Sequence, residues 1–395
     1  MGEWREYKLD ELGLLQRGKS KHRPRYAFHL YGGKYPFIQT GEVREARKLI
    51  NSYEKTYSDA GLEQSKLWPK GTLCITIAAN IAELGILAFD ACFPDSVLGF
   101  VADNKKCDLN FIYYTLTHFQ RKLKHIGEGS VQDNINLGTF QNILFPMPPL
   151  PEQKAIAEVL SSLDDKIDLL HHQNKTLEQM AETLFRQWFV EEAQEDWEEV
   201  TFDDVLTISS SKRIFYKEYV DFGIPFYRSK EVIELSKGGT TSTELFISEE
   251  RFNEIDSKFG SPKEGDILLT SVGTIGISYQ VRKADKFYFK DGNLTWFKDF
   301  KLLPSSIIYC WLNSSIGKEE LYNISIGSTQ AALTISDLKS IELKISPSEI
   351  IEKINDELNI AYEKIFFNQT QIRTIETLRD TLLPKLMNGE IRVAL

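Results

Sequence analysis

Two stretches of the chain carry an apolar stripe whose spacing alternates between four and three residues. After Pro149 the stripe runs Ile156, Leu160, Leu163, Ile167, Leu170, Leu177, Ala181 and Leu184, with Asn174 filling one position. After Pro347 it runs Ile354, Leu358, Ala361, Ile365, Ile372, Ile375 and Leu382, with Asn368 and Arg379 in the stripe. This is the period of a coiled-coil seam, so each stretch predicts one long helix. Pro151 suits a first helical turn. Ser346 is expected to cap the second helix, with Glu349 completing a capping box. Pro384 is expected to kink its last turn, and the glycine of MNGE (387–390) to stop it.

Elsewhere the pattern changes to short apolar runs bounded by glycine. GTLCIT (71–76) and GDILLT (265–270) predict short buried strands, and SVGTIG (271–276) a tight turn. Shorter helices are expected near residues 109–126 and 305–323. After each comes a Gly-Ser-x-Gln loop, holding Gln132 in one case and Gln330 in the other, then a strand and a proline.

These pieces recur in order. WREYKLDEL (from Trp4) matches WEEVTFDDV (from Trp197), and YPFIQTGEV (35–43) matches IPFYRSKEV (224–232). PKGTLCIT matches PKEGDILLT, LGIL (84–87) matches IGIS (275–278), and the two long helices follow Pro149 and Pro347. Collinear matches across a whole chain indicate two copies of one unit, a mixed globular domain followed by a long helix. The expected fold class is α+β, with boundaries at 1–148, 149–192, 193–346 and 347–395. Each helix either packs as an ordinary core helix in its own domain or pairs with the other. Antiparallel pairing about a pseudo-twofold axis places Asn174 opposite Asn368, where two buried amides would set the register.

Composition bounds the function. With 395 residues and 42% hydrophobic residues, the chain suits two domains plus connectors. No stretch approaches about 18 uncharged apolar residues, and the N-terminus is polar, so a cytoplasmic protein off the membrane is expected. The four cysteines are scattered without a CxxC pair and read as free thiols. The net charge of −10 is uneven: RGKSKHRPR (17–25) holds five Lys/Arg and no acid, while EEAQEDWEEVTFDD (191–204) holds eight acids and no base. An anion-binding site therefore remains compatible with an acidic chain.

No catalytic motif is found. There is no P-loop, no Rossmann fingerprint, no GxSxG elbow and no metal-ligand spacing among the six histidines. Asp95, Asp103 and Lys105 loosely resemble the metal-and-lysine set of a nuclease, but the second copy has no counterpart. What remains is binding chemistry. FIQTGEV and FYRSKEV share an apolar and acidic frame, Phe37/Phe226, Glu42/Glu231 and Val43/Val232. The polar positions differ: Gln39/Arg228, Thr40/Ser229 and Gly41/Lys230. Gln suits bidentate pairing with adenine and Arg with guanine. Lys19, Lys21, Arg23, Arg25 and Arg44 in one copy, and Lys212, Arg213 and Lys217 in the other, are candidates for phosphate contact. The competing reading is that these charges are a solvated face.

The segment PMPPLPEQKAIAEVLSSLDDKIDLLHHQNKTLEQMAETLFRQWF resembles the central conserved region of the specificity subunit of type I restriction–modification enzymes. LRDTLLPKLMNGEI resembles that family's distal conserved end. GDILLTSVGTIG and the Gly-Ser-Thr-Gln loop resemble pieces of its target recognition domains. The second helix departs from the pattern, opening with SPSEII in place of PLPEQ, and AANIAELG in the first copy replaces the shorter glycine turn of the second. The resemblance implies two target recognition domains joined by two long helices in an antiparallel coiled coil. It implies a non-catalytic reader of double-stranded DNA with no cofactor of its own. Two methyltransferase subunits would supply S-adenosylmethionine chemistry, and two motor-nuclease subunits would supply ATP- and Mg2+-dependent translocation and cleavage. A seam from Ile156 to Trp188 spans about 48 Å at about 1.5 Å per residue, enough to serve half-sites about 34 Å apart. A specificity subunit of an architecture with a fused methyltransferase–nuclease partner is the alternative, followed by a coiled-coil scaffold with no DNA role.

Overall fold

The computed structural model describes residues 3–22, 24, 26–78, 81–128, 138, 140, 142–327 and 331–394. The striped segments form a central helix, Leu150–Arg186, and a distal helix, Ser348–Met387. Each starts on a proline carbonyl. Pro149 O accepts from the backbone N–H groups of Glu152 and Gln153 at 2.9 and 3.1 Å, and Pro347 O from those of Ile350 and Ile351 at 3.0 and 3.1 Å. The proline carbonyl thereby takes the place of the expected serine cap. Ser346 Oγ is instead buried without a partner among the described residues. The distal helix runs through Pro384, and the left-handed Gly389 (φ +69°) follows it, its N–H bonding Leu386 O at 3.3 Å.

The stripe is largely the buried face. Ile156, Leu160, Ile167, Leu170, Asn174 and Ala181 are buried, as are Ile354, Leu358, Ile365, Asn368 and Ile372. Leu163 and Leu184 are only half-buried, and their neighbours Asp164 and Phe185 are buried instead. A straight helix of 3.6 residues per turn drifts against a 3.5 repeat, which rotates the buried line by one residue.

The chain divides into two compact units, Met1–Ile167 with Ile375–Leu395, and Asp168–Thr374. In the first, strands β1 (Arg5–Tyr7), β2 (Gly13–Arg17), β3 (Tyr31–Phe37), β4 (Leu49–Ile50), β5 (Lys55–Tyr57) and β6 (Leu67–Trp68) precede β7 (Leu73–Thr76), β8 (Leu84–Leu87), β9 (Ala91–Cys92), β10 (Val97–Ala102) and β11 (Phe145–Met147). They form a five-stranded sheet β2-β10-β7-β8-β4, a four-stranded sheet β5-β3-β9-β6 and the pair β1-β11. Every residue of β7 is buried. Its alternating side chains serve two cores. Leu73 and Ile75 pack with Phe111 and Leu116 of the helix Leu109–Glu128, while Cys74 packs with Trp68 and Phe93. Gly99 is required beneath that stack, since a Cβ there would lie 2.6 Å from the Phe93 ring and 2.8 Å from Trp68.

The second unit repeats this plan with β12 (Glu198–Thr201), β13 (Thr207–Ser209), β14 (Tyr219–Val220), β15 (Ile224–Tyr227), β16 (Phe246–Ile247), β17 (Ile267–Thr270), β18 (Ser278–Gln280), β19 (Tyr288–Phe289), β20 (Leu294–Lys298) and β21 (Glu342–Ile345). Its order β13-β20-β17-β18 reproduces β2-β10-β7-β8, and β12-β21 reproduces β1-β11. The pair β15-β19 is parallel, as is β3-β9. The alternation recurs as well, with Ile267 and Leu269 in one core and Leu268 in another. The duplication read from scattered matches is thus a duplication of sheet topology.

Residues 305–323 form two helices, Ser305–Asn313 and Ser315–Asn323, where one was expected. Ser314 is extended (φ −69°, ψ 161°), and its Oγ accepts from Gly317 N at 3.1 Å, so it caps a new helix. Among the described residues, no helix is long and apolar enough to cross a membrane.

Candidate nucleic-acid interface

The matched heptapeptides adopt one geometry. β3 and β15 each lead into a short helix, Thr40–Glu45 and Ser229–Ser236, with Gln39 and Arg228 at the N-cap. Glu42 Oε2 accepts from Gln39 N at 3.0 Å, and Glu231 Oε2 from Arg228 N at 2.8 Å. The shared acid is therefore a helix-capping residue, and the shared valines are fully buried. The differing side chains Gln39, Thr40, Arg228, Ser229 and Lys230 stand at the first turn of a helix, where the positive end of the peptide dipoles also favours an anion. Arg228 is exposed, and its guanidinium folds onto Glu231, with Nη2 2.9 Å from Oε1. That hydrogen bond raises the pKa of Arg228 further. Lys230 reaches Glu234 at 3.7 Å, and Arg44 lies 3.8 Å from Glu45.

The upstream basic segments meet the same strand in each unit. Lys19 N bonds Phe93 O at 3.0 Å while Ile38 N bonds Cys92 O at 2.8 Å, so both segments border β9. In the second unit Lys212 N bonds the Tyr288 hydroxyl at 2.8 Å while Lys290 N bonds Tyr227 O at 2.8 Å, so both border β19. Arg213 pairs with Asp291 at 2.8 Å just beyond β19, and Lys212 Nζ lies 4.3 Å from the centre of the Phe259 ring. Lys21 and Lys217 are exposed. Arg23, Arg25, Gln132 and Gln330 lie outside the described residues. The basic segment and the polar tripeptide, distant in sequence, thus converge beside one strand in each copy, β9 in the first unit and β19 in the second.

Sequence reasoning passed over the aromatic residues of the same loops. Phe28 opens the 3-10 turn Phe28–Leu30, and Tyr216 opens the 3-10 turn Tyr216–Glu218; they are 95% and 88% exposed. The available signal was the interleaving of aromatics with Lys and Arg in RPRYAFHLYGGKY and KRIFYKEYVDFG.

The nuclease-like set is a turn. Asp103 Oδ1 accepts from Lys105 N at 3.1 Å, and its other oxygen lies 3.8 Å from Lys106 Nζ. Among the described residues, no group of three or more His, Cys, Asp or Glu is placed to hold a metal. The four cysteines are buried and unbridged, and burial pushes the Cys92 thiol up to about 11.

The long helices also carry buried polar contacts within each unit. Gln153 of PLPEQ is buried; it accepts from Asp108 N at 2.9 Å and donates to Pro148 O at 2.9 Å, tying the start of the central helix to that of Leu109–Glu128. Glu152 pairs with Arg392 at 2.6 Å. The second copy has Ile350 and Ile351 at the corresponding places, and both pack into its apolar core. Further along, Tyr114 donates to Asp164 Oδ2 at 2.5 Å, and Arg379 lies 2.8 Å from Asp164 Oδ1. The copy-related positions in the second unit are Tyr362, buried, and Ala181, whose carbonyl accepts from Cys310 Sγ at 3.4 Å. Also in that unit, Asn368 Nδ2 donates to Asn174 Oδ1 at 2.8 Å, with both amides buried.

Residues 1–179 and 194–377 each match the model of the type I restriction modification DNA specificity domain. The chain belongs to that family. This specificity-family chain is 27% identical to the type I restriction enzyme MjaIX specificity subunit of Methanocaldococcus jannaschii, over 99% of this chain and 94% of that one. It is 23% identical to the EcoBI specificity subunit of Escherichia coli, over 72% and 66%. Its fold is that of the type I restriction–modification S subunit of M. genitalium, with a TM-score of 0.62 at 18% identity, covering 97% and 96% of the two chains. The two family matches coincide with the two copies of the sheet plan, so each copy is one specificity domain of this family member.

Proposed function

We propose that this chain is the non-catalytic DNA-reading subunit of a type I restriction–modification enzyme, each specificity domain reading one half of an asymmetric bipartite site. One observation carries the reading. The two copies share their buried frame and differ in the polar side chains at a helix N-terminus that borders a basic segment. Shared frame with varied polar tips is what two readers of different base sequences require. Backbone phosphates would be met by Lys19, Lys21, Arg44, Lys212, Arg213 and Lys217. Bases would be met by Gln39, Thr40, Arg228, Ser229 and Lys230.

The two long helices would form an antiparallel coiled coil that acts as the ruler between half-sites, with Asn174 and Asn368 fixing its register. The seam contacts Asp164–Arg379 and Asn174–Asn368 support this pairing. Two methyltransferase subunits would bring S-adenosylmethionine, and two motor-nuclease subunits ATP and Mg2+. The acidic balance suits a chain that binds DNA weakly alone and strongly, with steep salt dependence, once assembled.

The test is a genome-wide map of methylated adenine with and without this gene. A bipartite motif that disappears on deletion is the expected result. Replacing Arg228 by Gln should alter one half of the motif and leave the other intact. Persistence of every motif, or a change in both halves, would defeat the reading.

A further inference from the structure

Phe28 and Tyr216 are exposed aromatic side chains that core packing does not account for, although Tyr216 meets the Tyr219 ring edge-on at 6.0 Å. They are 95% and 88% exposed, and neither belongs to a packed core. They are also structural equivalents. Each is the first residue of a one-turn 3-10 helix, and each offers its carbonyl to a tyrosine N–H at the start of the next strand, Tyr31 or Tyr219. In both units the chain then doubles back across its neighbour. Tyr31 and Tyr35 register with the same residue, Tyr57, as Tyr219 and Ile224 register with Ile247. The strand so formed ends at the polar tripeptide of that copy.

An aromatic kept about nine-tenths exposed at one position in both copies, although the surrounding loop sequences differ, points to a ligand. The neighbourhood indicates its chemistry. His29 and Lys217 follow the two rings directly, and Lys55 Nζ lies 5.8 Å from the centre of the 76% exposed Tyr26 ring. Protein-binding patches are depleted in lysine and gather apolar residues together. Here the exposed rings, Tyr26 with Phe28 and Phe215 with Tyr216 and Phe222, are interleaved with Lys55 and with Lys212, Arg213 and Lys217, and rings among cations suit a polyanion with flat π-faces.

We propose that Phe28 and Tyr216 are paired wedges, each stacking on a base step of the DNA duplex beside the half-site its own domain reads. The proposal rests on the DNA-reading function above and adds a contact that carries no hydrogen-bond code. Aromatic insertion unstacks a step and bends the duplex locally, so it reads deformability at positions flanking the recognised bases.

The experiment uses the purified complex with its methyltransferase subunits and a duplex carrying the mapped motif, with 2-aminopurine placed at steps flanking each half-site. Phe28→Ala and Tyr216→Ala should each weaken binding roughly 5- to 150-fold, the range of one base–aromatic stack. Each should abolish the 2-aminopurine fluorescence rise beside its own half-site alone. The salt slope should stay unchanged, because no charge is removed. Phe28→Tyr and Tyr216→Phe should retain binding, as should Tyr322→Ala, which removes a 75% exposed aromatic elsewhere. Alanine variants that bind within twofold of wild type would overturn the proposal. So would variants that fail to assemble with the methyltransferase subunits in the absence of DNA, because the rings would then be a protein contact. If the wild-type complex itself shows no site-specific binding, the DNA-reading function fails first, which separates the two outcomes.

Discussion

Replacing Arg379 by Leu should unfasten the first unit. The Asp164 side chain is 12% exposed and that of Arg379 28%. Burial opposes the charge on Arg379, yet hydrogen bonds to Asp164 and Asp380 outweigh it and raise its pKa. Two unit charges about 4 Å apart attract by about 4 kcal/mol at an effective dielectric near 20. Most of that attraction offsets desolvation, so the intact pair contributes little net stability. Removing one partner is different, because the buried carboxylate keeps its desolvation cost. A fully buried pair broken this way loses about 3–5 kcal/mol; with Arg379 partly exposed, about 2–4 kcal/mol is expected. A chain of two units need not unfold in one step, so amide exchange resolved by segment is the appropriate assay. Protection of Leu109–Glu128, which carries Tyr114, should fall roughly 30- to 900-fold, while that of Ser305–Asn313 should hold. Combining Asp164→Leu, Tyr114→Phe and Arg379→Leu removes the buried carboxylate with the two groups that bond it, leaves the 66% exposed Asp380 to solvent, and should restore protection to within about 1 kcal/mol of wild type. A fall of less than about threefold for the single variant, or no recovery in the triple, would refute the reasoning.

Three further outcomes are expected. Gln153→Ala leaves Asp108 N and Pro148 O without their side-chain partner and should cost about 2–4 kcal/mol in urea unfolding; a change under about 0.5 kcal/mol would show that PLPEQ does not anchor the helix. Asn174→Leu with Asn368→Leu replaces a buried amide pair and an Asn368 Oδ1 that has no partner among the described residues, so melting temperature should rise while spin-label distances across the two helices broaden; a single sharp distance would deny the amides a role in register. Burial holds the Asp266 carboxyl above its usual range, although it accepts from Trp296 Nε1 at 2.8 Å and Lys263 N at 2.9 Å. A carboxylate whose folded pKa lies above its unfolded value stabilises below the unfolded pKa and loses that contribution as pH rises through the folded one. Asp266→Asn should therefore gain on wild type between acid and neutral pH, and parallel stability curves would contradict this.

Chemistry that repeats along the chain was legible before any fold was known. The 4-3 stripe fell on the two long helices because a helix buries one face, whatever lies against it. Collinear matches revealed the duplication because both copies must fill the same two cores on either side of strands such as LCIT and ILLT. The PLPEQ signature marked the central helix, and the structure shows why it occurs once: Gln153 and Glu152 serve contacts that isoleucines replace in the other copy. Where the polar side chains end up follows from the fold. It turned the shared Glu42 and Glu231 into capping residues and brought the basic segments beside the strand that the tripeptides also border. It also rotated the buried line onto Asp164 and Phe185, and left Phe28 and Tyr216 bare. Periodicity records which face is apolar, which is a local property. Which polar group meets which depends on strands brought together from positions tens of residues apart, and no local pattern encodes that pairing.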